Sequence, residues 1–388
     1  MTADATPVLG RLVLDDRVAP GRILIEDGLI VEVQPVEAAD LGRSVSAGVG
    51  TGGPIVAPGF VDVHVHGGGG HDAMGGGQAL DGMARHLLRH GITSFLPTAV
   101  TAPLAALARF GAEVRAWLPK APPDGAQPLG FNLEGPFLAP ARRGAHDPAY
   151  LRTPADVDRD DLEPLLDGLR LTTIAPELPG AVALIAWLRE HGVAVSMGHS
   201  AADLDQAGAG FAAGGTSTTH LFNAMTGVDH HSPGLAVAAL GLDSAYVELI
   251  ADGQHVHPSL WPIITRTKPA NRLMLVSDAI SLAGIGDGRA TIGGLEVEVV
   301  GQRVTLVGTT TLAGSVICLD AAVRNVAATG VTLPDAIAAA SRNPLEMLGM
   351  TDRGRIAAGQ RADLVELDDR LAVRRVMRAG VWVAGPAA

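Results

Sequence analysis

Five apolar runs of strand length in this chain each end in a side chain able to bind a metal. No other feature so narrows the folds open to it. The runs read GFVDVHVHG, PLGFNLEG, VAVSMGHS, TSTTHLFN and LMLVSDA, and they put His64, His66, Glu134, His199, His220 and Asp278 at strand ends. A lone residue of this kind after a strand is ordinarily a satisfied histidine or a helix cap. Five in succession fit a single metal centre at one end of a barrel of parallel strands. An open doubly wound sheet would not gather five strand ends around one point.

The middle of the chain supports that fold. Apolar runs at 59–65, 93–99, 129–134, 170–175, 193–198, 216–220, 246–251 and 272–278 alternate with helical patterns such as QALDGMARHLLRH and PGAVALIAWLREH. Eight strand-then-helix units over roughly 250 residues predict a (β/α)8 barrel. Residues 8 to 57 instead alternate apolar and polar positions between glycine turns, and the same texture returns at 354 to 384. Segments 1–57 and 354–388 are therefore expected to pair into a small discontinuous β-sandwich domain around a 58–353 barrel. Residues 284–310 read as an inserted hairpin, placed to act as a flap at the barrel mouth.

Composition limits what the site can serve. The net charge of −12 argues against non-specific nucleic-acid binding but leaves room for one small anion. No apolar run is long enough to span a membrane, and no basic segment precedes the first apolar stretch, so neither an anchor nor a signal peptide is expected. Cys318, the only cysteine, has no partner for a disulfide within the chain and fits a reducing compartment. A cytoplasmic protein is the expectation. Only Lys120 and Lys268 are lysines and neither ends a strand, which excludes a metal-bridging carboxylated lysine.

His64 and His66, two apart on one strand, point to the same face, which in a barrel is the lumen. Two imidazoles there suit zinc, with iron or manganese as alternatives. Glu134 can bind one ion or bridge two. With His199 and His220 it makes three protein ligands and an open position, the arrangement of a catalytic centre. A divalent cation lowers the pKa of water by many units. Asp278 beside it would serve as general base and then general acid, a division of labour that fits amide hydrolysis. His255, in ADGQHVHP, is placed to hydrogen-bond a substrate or polarise its carbonyl. His86, His90 and His191 lie on or at the ends of helices and are expected to be solvated.

The series VAPGFVDVHVHGGGG, LEGPF, GHS, THLFNAM, ADGQHVHP and VSDA resembles the amidohydrolase superfamily, and within it the N-acetylglucosamine-6-phosphate deacetylases. The resemblance covers nearly the whole chain. His-x-His after PGF marks the superfamily, whereas EGPF with RRGAHDP and HLFNAM is specific to the deacetylases. It implies hydrolysis of the acetamide of N-acetyl-D-glucosamine 6-phosphate to glucosamine 6-phosphate and acetate, in amino-sugar metabolism. Glu134, His199 and His220 would hold the principal metal, with Asp278 beside it as acid and base. His64 and His66 match members with a second ion, giving one or two per subunit. Ala145, His146, Asn223, Ala224, Asp252, His255 and the segment Leu312, Ala313, Gly314, Ser315 match substrate-contacting positions. The resemblance also implies a homodimer whose neighbouring subunit completes the phosphate site.

One position departs from the family. The loop reads DHHSPG, so His231 stands where relatives carry a phosphate-binding arginine. A histidine offers one donor and full charge only at mildly acid pH, whereas guanidinium is bidentate and always charged. Three readings follow: His230 and His231 share the phosphate, Arg142 or Arg143 compensates, or the substrate lacks phosphate. Retained phosphate is favoured. An unphosphorylated or epimeric N-acetylhexosamine, or a cyclic amide, is the alternative substrate.

Overall fold

The computed structural model describes residues 7–43 and 53–385. Residues 1–6, 44–52 and 386–388 of the expected terminal β segments lie outside these.

Eight strands form the barrel: Phe60–Val65, Ile92–Val100, Phe131–Glu134, Leu169–Ile174, Ala194–Met197, Ser217–Thr218, Tyr246–Leu249 and Leu273–Leu275. Each runs parallel to the next in chain order. Between the last and the first, closure rests on residues beyond the regular strands. The amides of His66 and Gly67 donate to the Ala279 carbonyl and that of Asp278 to His64, each at 2.9 Å. The fold is a (β/α)8 barrel.

Its sequence signature follows from burial on both faces of each strand, which makes the runs nearly continuous in apolar residues. All six residues of Phe60–Val65 are buried. The helix Gly77–Arg89 buries Leu80, Met83, Ala84, Leu87 and Leu88, the 3-and-4 spacing of one helical face. Burying each leucine contributes about 1.5–3 kcal/mol. Among the titratable residues within these strands Arg170 is exposed, whereas Asp62, His64, Glu134 and Glu248 are buried and build the site.

The chain ends meet. A seven-stranded sheet runs in the order Val381–Ala384, Val373–Arg378, Leu364–Leu367, Ile55–Pro58, Val8–Val13, Val18–Glu26, Leu29–Pro35. Leu364 pairs with Pro58 and Leu367 with Ile55, so the C-terminal segment lies directly on the strand that leads into the barrel. This sheet closes sandwich-like on its own core of Val8, Leu12, Ile23, Ile30, Val56, Leu364 and Met377. The insert has three antiparallel strands where a hairpin was expected: Gly288–Ile292, Leu295–Val300 and Arg303–Leu306. Ile292, Val297, Val299 and Val304 pack against Val100, Ile280 and Ala313 at the barrel rim.

Candidate active site

All six strand-end residues converge at one end of the barrel, and each is no more than 6% exposed. Glu134 is the hub. Its Oε1 lies 3.0 Å from His199 Nε2 and 2.9 Å from His220 Nε2, and those two nitrogens are 3.1 Å apart. Its Oε2 lies 3.2 Å from His66 Nε2 and 3.3 Å from His146 Nε2. Asp278 Oδ1 is 3.1 Å from His66 Nε2 and 3.6 Å from His64 Nε2.

The backbone is bent to achieve this. His199, His220 and Asp278 have φ of 47°, 30° and 50°, and Phe222 and Ala224 follow with 75° and 49°. Among the described residues, five of the eight non-glycine residues with positive φ are therefore in these loops. Such conformations cost on the order of 1–2 kcal/mol each and persist where the surrounding packing imposes them. Gly135, with φ of 99°, follows Glu134 for a steric reason: a Cβ there would meet Thr101 Oγ1 at 2.1 Å.

These donors fit a divalent cation. Two nitrogens bound at about 2.0–2.1 Å with tetrahedral angles lie about 3.3 Å apart, close to the spacing of the His199, His220 and Glu134 atoms. His64 Nε2 is fully buried, has no hydrogen-bond partner and faces the carboxylates of Glu134 and Asp278 at 3.5 and 3.6 Å. Outer partners orient the rings: His199 Nδ1 lies 2.8 Å from the Arg142 carbonyl, His66 Nδ1 3.1 Å from the Thr98 carbonyl, and His64 Nδ1 3.2 Å from Glu248 Oε2. Donation at Nδ1 leaves Nε2 free as a ligand atom in each.

The electrostatics agree. Burial pushes the Glu134 carboxyl up, but His64, His146 and His199 outweigh it and hold it well below the usual range. Burial likewise raises Asp278, and His66 and His64 pull it down to about 2. Against burial, hydrogen bonds to Asp278 and Glu134 lift His66 to about 9. Burial dominates at His199 and lowers it to about 4. The two carboxylates stay anionic because the imidazoles hold positive charge against them, a role that a bound cation takes over.

A cavity of ≈ 330 Å³ opens over this cluster, within the small-molecule range of roughly 300–1,000 Å³. His66, Glu134, His199, His220 and Asp278 form its floor, and His64 lies just beneath. Of the expected substrate positions, Ala145, His146, Asn223, Ala224, His255, Leu312 and Gly314 line it. Ala313 and Ser315 do not. They point elsewhere, Ala313 into the core of the insert and Ser315 Oγ to the Ser277 carbonyl at 2.6 Å. Asp252 stands behind His255, whose Nδ1 it holds at 2.8 Å. His231 is exposed and outside the cavity wall, its ring 3.9 Å from that of His230. The basic group at the wall is Arg142.

Some residues of the site were not read from the sequence. Glu248 is fully buried, and its Oε2 accepts from the His220 amide at 3.1 Å as well as facing His64. Asp62 Oδ1 accepts from the amides of His64 and Ser277, and burial pushes its carboxyl up to about 7. A charged residue inside an otherwise apolar strand, as in YVELI and FVDVHV, is the signal that marks both. His86 and His90 correct the expectation of solvation. Both are only partly exposed, with ring centroids 4.8 Å apart, and they pack beside Cys318 and Asp320; His191 is exposed as expected.

The amidohydrolase family pattern matches residues 55–383. This chain belongs to the amidohydrolase family. It is 40% identical over 398 residues to human N-acetylglucosamine-6-phosphate deacetylase, with 97% of this chain and 94% of that protein covered. It is also 39% identical over 380 residues to N-acetylgalactosamine-6-phosphate deacetylase of Escherichia coli O157:H7, covering 96% and 94%. A solved structure of a mutant N-acetyl-D-glucosamine-6-phosphate deacetylase from Mycobacterium smegmatis, in complex with N-acetyl-D-glucosamine-6-phosphate, superposes with a TM-score of 0.89. That likeness is at 36% identity and covers 98% of this chain and all of the other. No helix among the described residues is long and apolar enough to cross a membrane.

Proposed function

We propose that this cavity hydrolyses the acetamide of N-acetyl-D-glucosamine 6-phosphate, releasing acetate and leaving glucosamine 6-phosphate for amino-sugar metabolism. The observation that carries the reading is the convergence of Glu134, His199, His220 and Asp278 on the cavity floor. Deacetylases of amino-sugar 6-phosphates about 40% identical over nearly the whole chain supply the substrate class. Glu134, His199 and His220 would hold the principal ion. His64 and His66 would hold a second beside Asp278, and zinc suits both donor sets. A cation bound there would act as a Lewis acid toward the acetamide carbonyl and promote ionisation of water.

The chain's own groups account for the proton traffic. Asp278 is anionic and faces the cavity, so it takes a proton from the attacking water and passes it to the departing amine. Asp252 accepts a hydrogen bond from His255 Nδ1–H, which fixes the ring and leaves Nε2 to hydrogen-bond the sugar. Asn223 and Ala224 on one side, and Leu312 and Gly314 on the other, shape the wall around it. Ile292 brings the insert to the rim, the position of a flap.

Arg142 is the cation placed to hold the 6-phosphate from within this chain. The exposed His230–His231 pair is the part of the loop open to a neighbouring subunit in a homodimer. A buried free thiol at Cys318 suits the cytoplasm. The galactosamine epimer is the second reading, carried by the relative that is 39% identical. Acetate release from the two 6-phosphates and from unphosphorylated N-acetylglucosamine tests all of this. Equal turnover with and without phosphate would overturn the assignment of the phosphorylated substrate.

A further inference from the structure

On the outer flank of the barrel, at the seam between the first and last strands, His86, His90 and Cys318 bring three ligand atoms within 4.8 Å of one another. None of them lines the active-site cavity. His86 lies in the last turn of the helix Gly77–Arg89 and His90 caps its C-terminus, with the two ring centroids 4.8 Å apart. Cys318 directly precedes the helix Leu319–Ala327. We propose that these three side chains form a separate binding site for a borderline divalent cation such as zinc, which clamps the first barrel helix to the last.

Three observations carry the proposal. First, Cys318 Sγ and His86 Nε2 are 3.7 Å apart. A tetrahedral ion with bonds of about 2.3 Å to sulfur and about 2.0–2.1 Å to nitrogen sets that edge at about 3.6 Å. Second, His90 Nδ1 lies 3.1 Å from Asp320 Oδ1, and the other Asp320 oxygen is held by Arg324 at 3.0 Å. That is the carboxylate–histidine pairing found behind metal ligands, and it leaves His90 Nε2 free for the ion. Third, the His86 and His90 ring centroids lie 4.8 Å apart beside the buried Cys318 thiol. The Cys318 thiol is held protonated by burial, and ion binding would release that proton. The His90 side chain is 20% exposed, which opens the remaining coordination position to water.

The location gives the ion a purpose. Among the described residues no regular strand ladder joins Leu273–Leu275 to Phe60–Val65, and the seam closes instead on the backbone hydrogen bonds of His66, Gly67 and Asp278 beyond those strands. The His86 ring also packs beneath the glycine loop that follows His66: a Cβ on Gly68 would approach it to 2.6 Å and one on Gly69 would meet the His86 side chain at 2.9 Å. An ion at His86 therefore braces both the seam and the loop at the catalytic mouth.

Cobalt(II) loading of the full chain tests this. Cys318 is the only cysteine, so thiolate-to-cobalt charge-transfer absorption reports this site and no other. The wild-type protein is expected to show that absorption, Cys318→Ser to lose it, and His86→Gln and His90→Gln to weaken it. Metal content should fall by one ion per subunit in Cys318→Ser, with a lower midpoint of thermal unfolding. Acetate release by that variant should stay within about twofold of wild type, which also shows that it folds. Absence of the absorption from wild-type protein whose active site is filled with cobalt would overturn the proposal, as would equal metal content in wild type and Cys318→Ser.

Discussion

Glu248 offers a sharp test of how the centre is held, because it does not line the active-site cavity and yet orients two ligands. Its Oε2 faces His64 Nδ1 at 3.2 Å and accepts from the His220 amide at 3.1 Å, while its Oε1 has no partner. Glu248→Gln keeps the shape and one accepting oxygen. It removes the charge from two hydrogen bonds, at about 1 kcal/mol each, and buries an amide nitrogen where no acceptor waits, at about 1 kcal/mol more. Roughly 2–3 kcal/mol is at stake, shared between folding and ion affinity. The expected result is a 10- to 100-fold weaker metal affinity, the range for partners behind metal ligands. Competition against a chromophoric chelator measures it, and kcat/KM at increasing metal shows how much activity returns on saturation. A folded Glu248→Gln protein with wild-type metal affinity would refute the reasoning, since His64 and His220 would then not depend on Glu248 for their orientation.

Asp252→Asn is expected to lower kcat by about tenfold or more with metal content unchanged, because the His255 ring loses the carboxylate that fixes its proton; steady-state kinetics beside metal analysis checks it. Arg142→Ala should raise KM for the phosphorylated sugar about tenfold or more and leave the unphosphorylated sugar unaffected, read from paired KM values. The third outcome concerns acid stability in the metal-free protein. Burial lowers His86 to about 4 from the usual 6.5 of histidine, so as pH falls the unfolded chain takes up this proton first. The stability held by neutral His86 is thus fully present above about pH 6.5 and is lost on acidification toward pH 4. Denaturant melts should show the stability of wild type relative to His86→Gln falling by up to roughly 3 kcal/mol between pH 7 and pH 4.

Much of this was legible in the sequence because two periodicities coincide in it. Burial on both faces made the barrel strands continuous apolar runs, and the ligands stood out as their terminators, so His64, His66, Glu134, His199, His220 and Asp278 were readable together. What escaped belongs to geometry that strand-end reading does not capture. Glu248 and Asp62 lie within strands, where a single charged residue carries no spacing to recognise. Ala313 and Ser315 were matched as part of a four-residue segment, but Ala313 packs into the core of the insert and Ser315 bonds the Ser277 carbonyl, away from the cavity. The His86–His90 pair had the i, i+4 spacing of helical metal ligands. Its third member, Cys318, lies more than two hundred residues later, and only closure of the barrel brings it near.

Acetate release from N-acetyl-D-glucosamine 6-phosphate, by metal-loaded wild type and by Asp278→Asn at equal metal content, tests the central claim most directly. Wild type should turn over, stop when a chelator removes the ion and recover when zinc is restored. Asp278→Asn should lose at least about a hundredfold in kcat while still binding the sugar. Retained turnover in Asp278→Asn, or none by metal-replete wild type, would contradict the account.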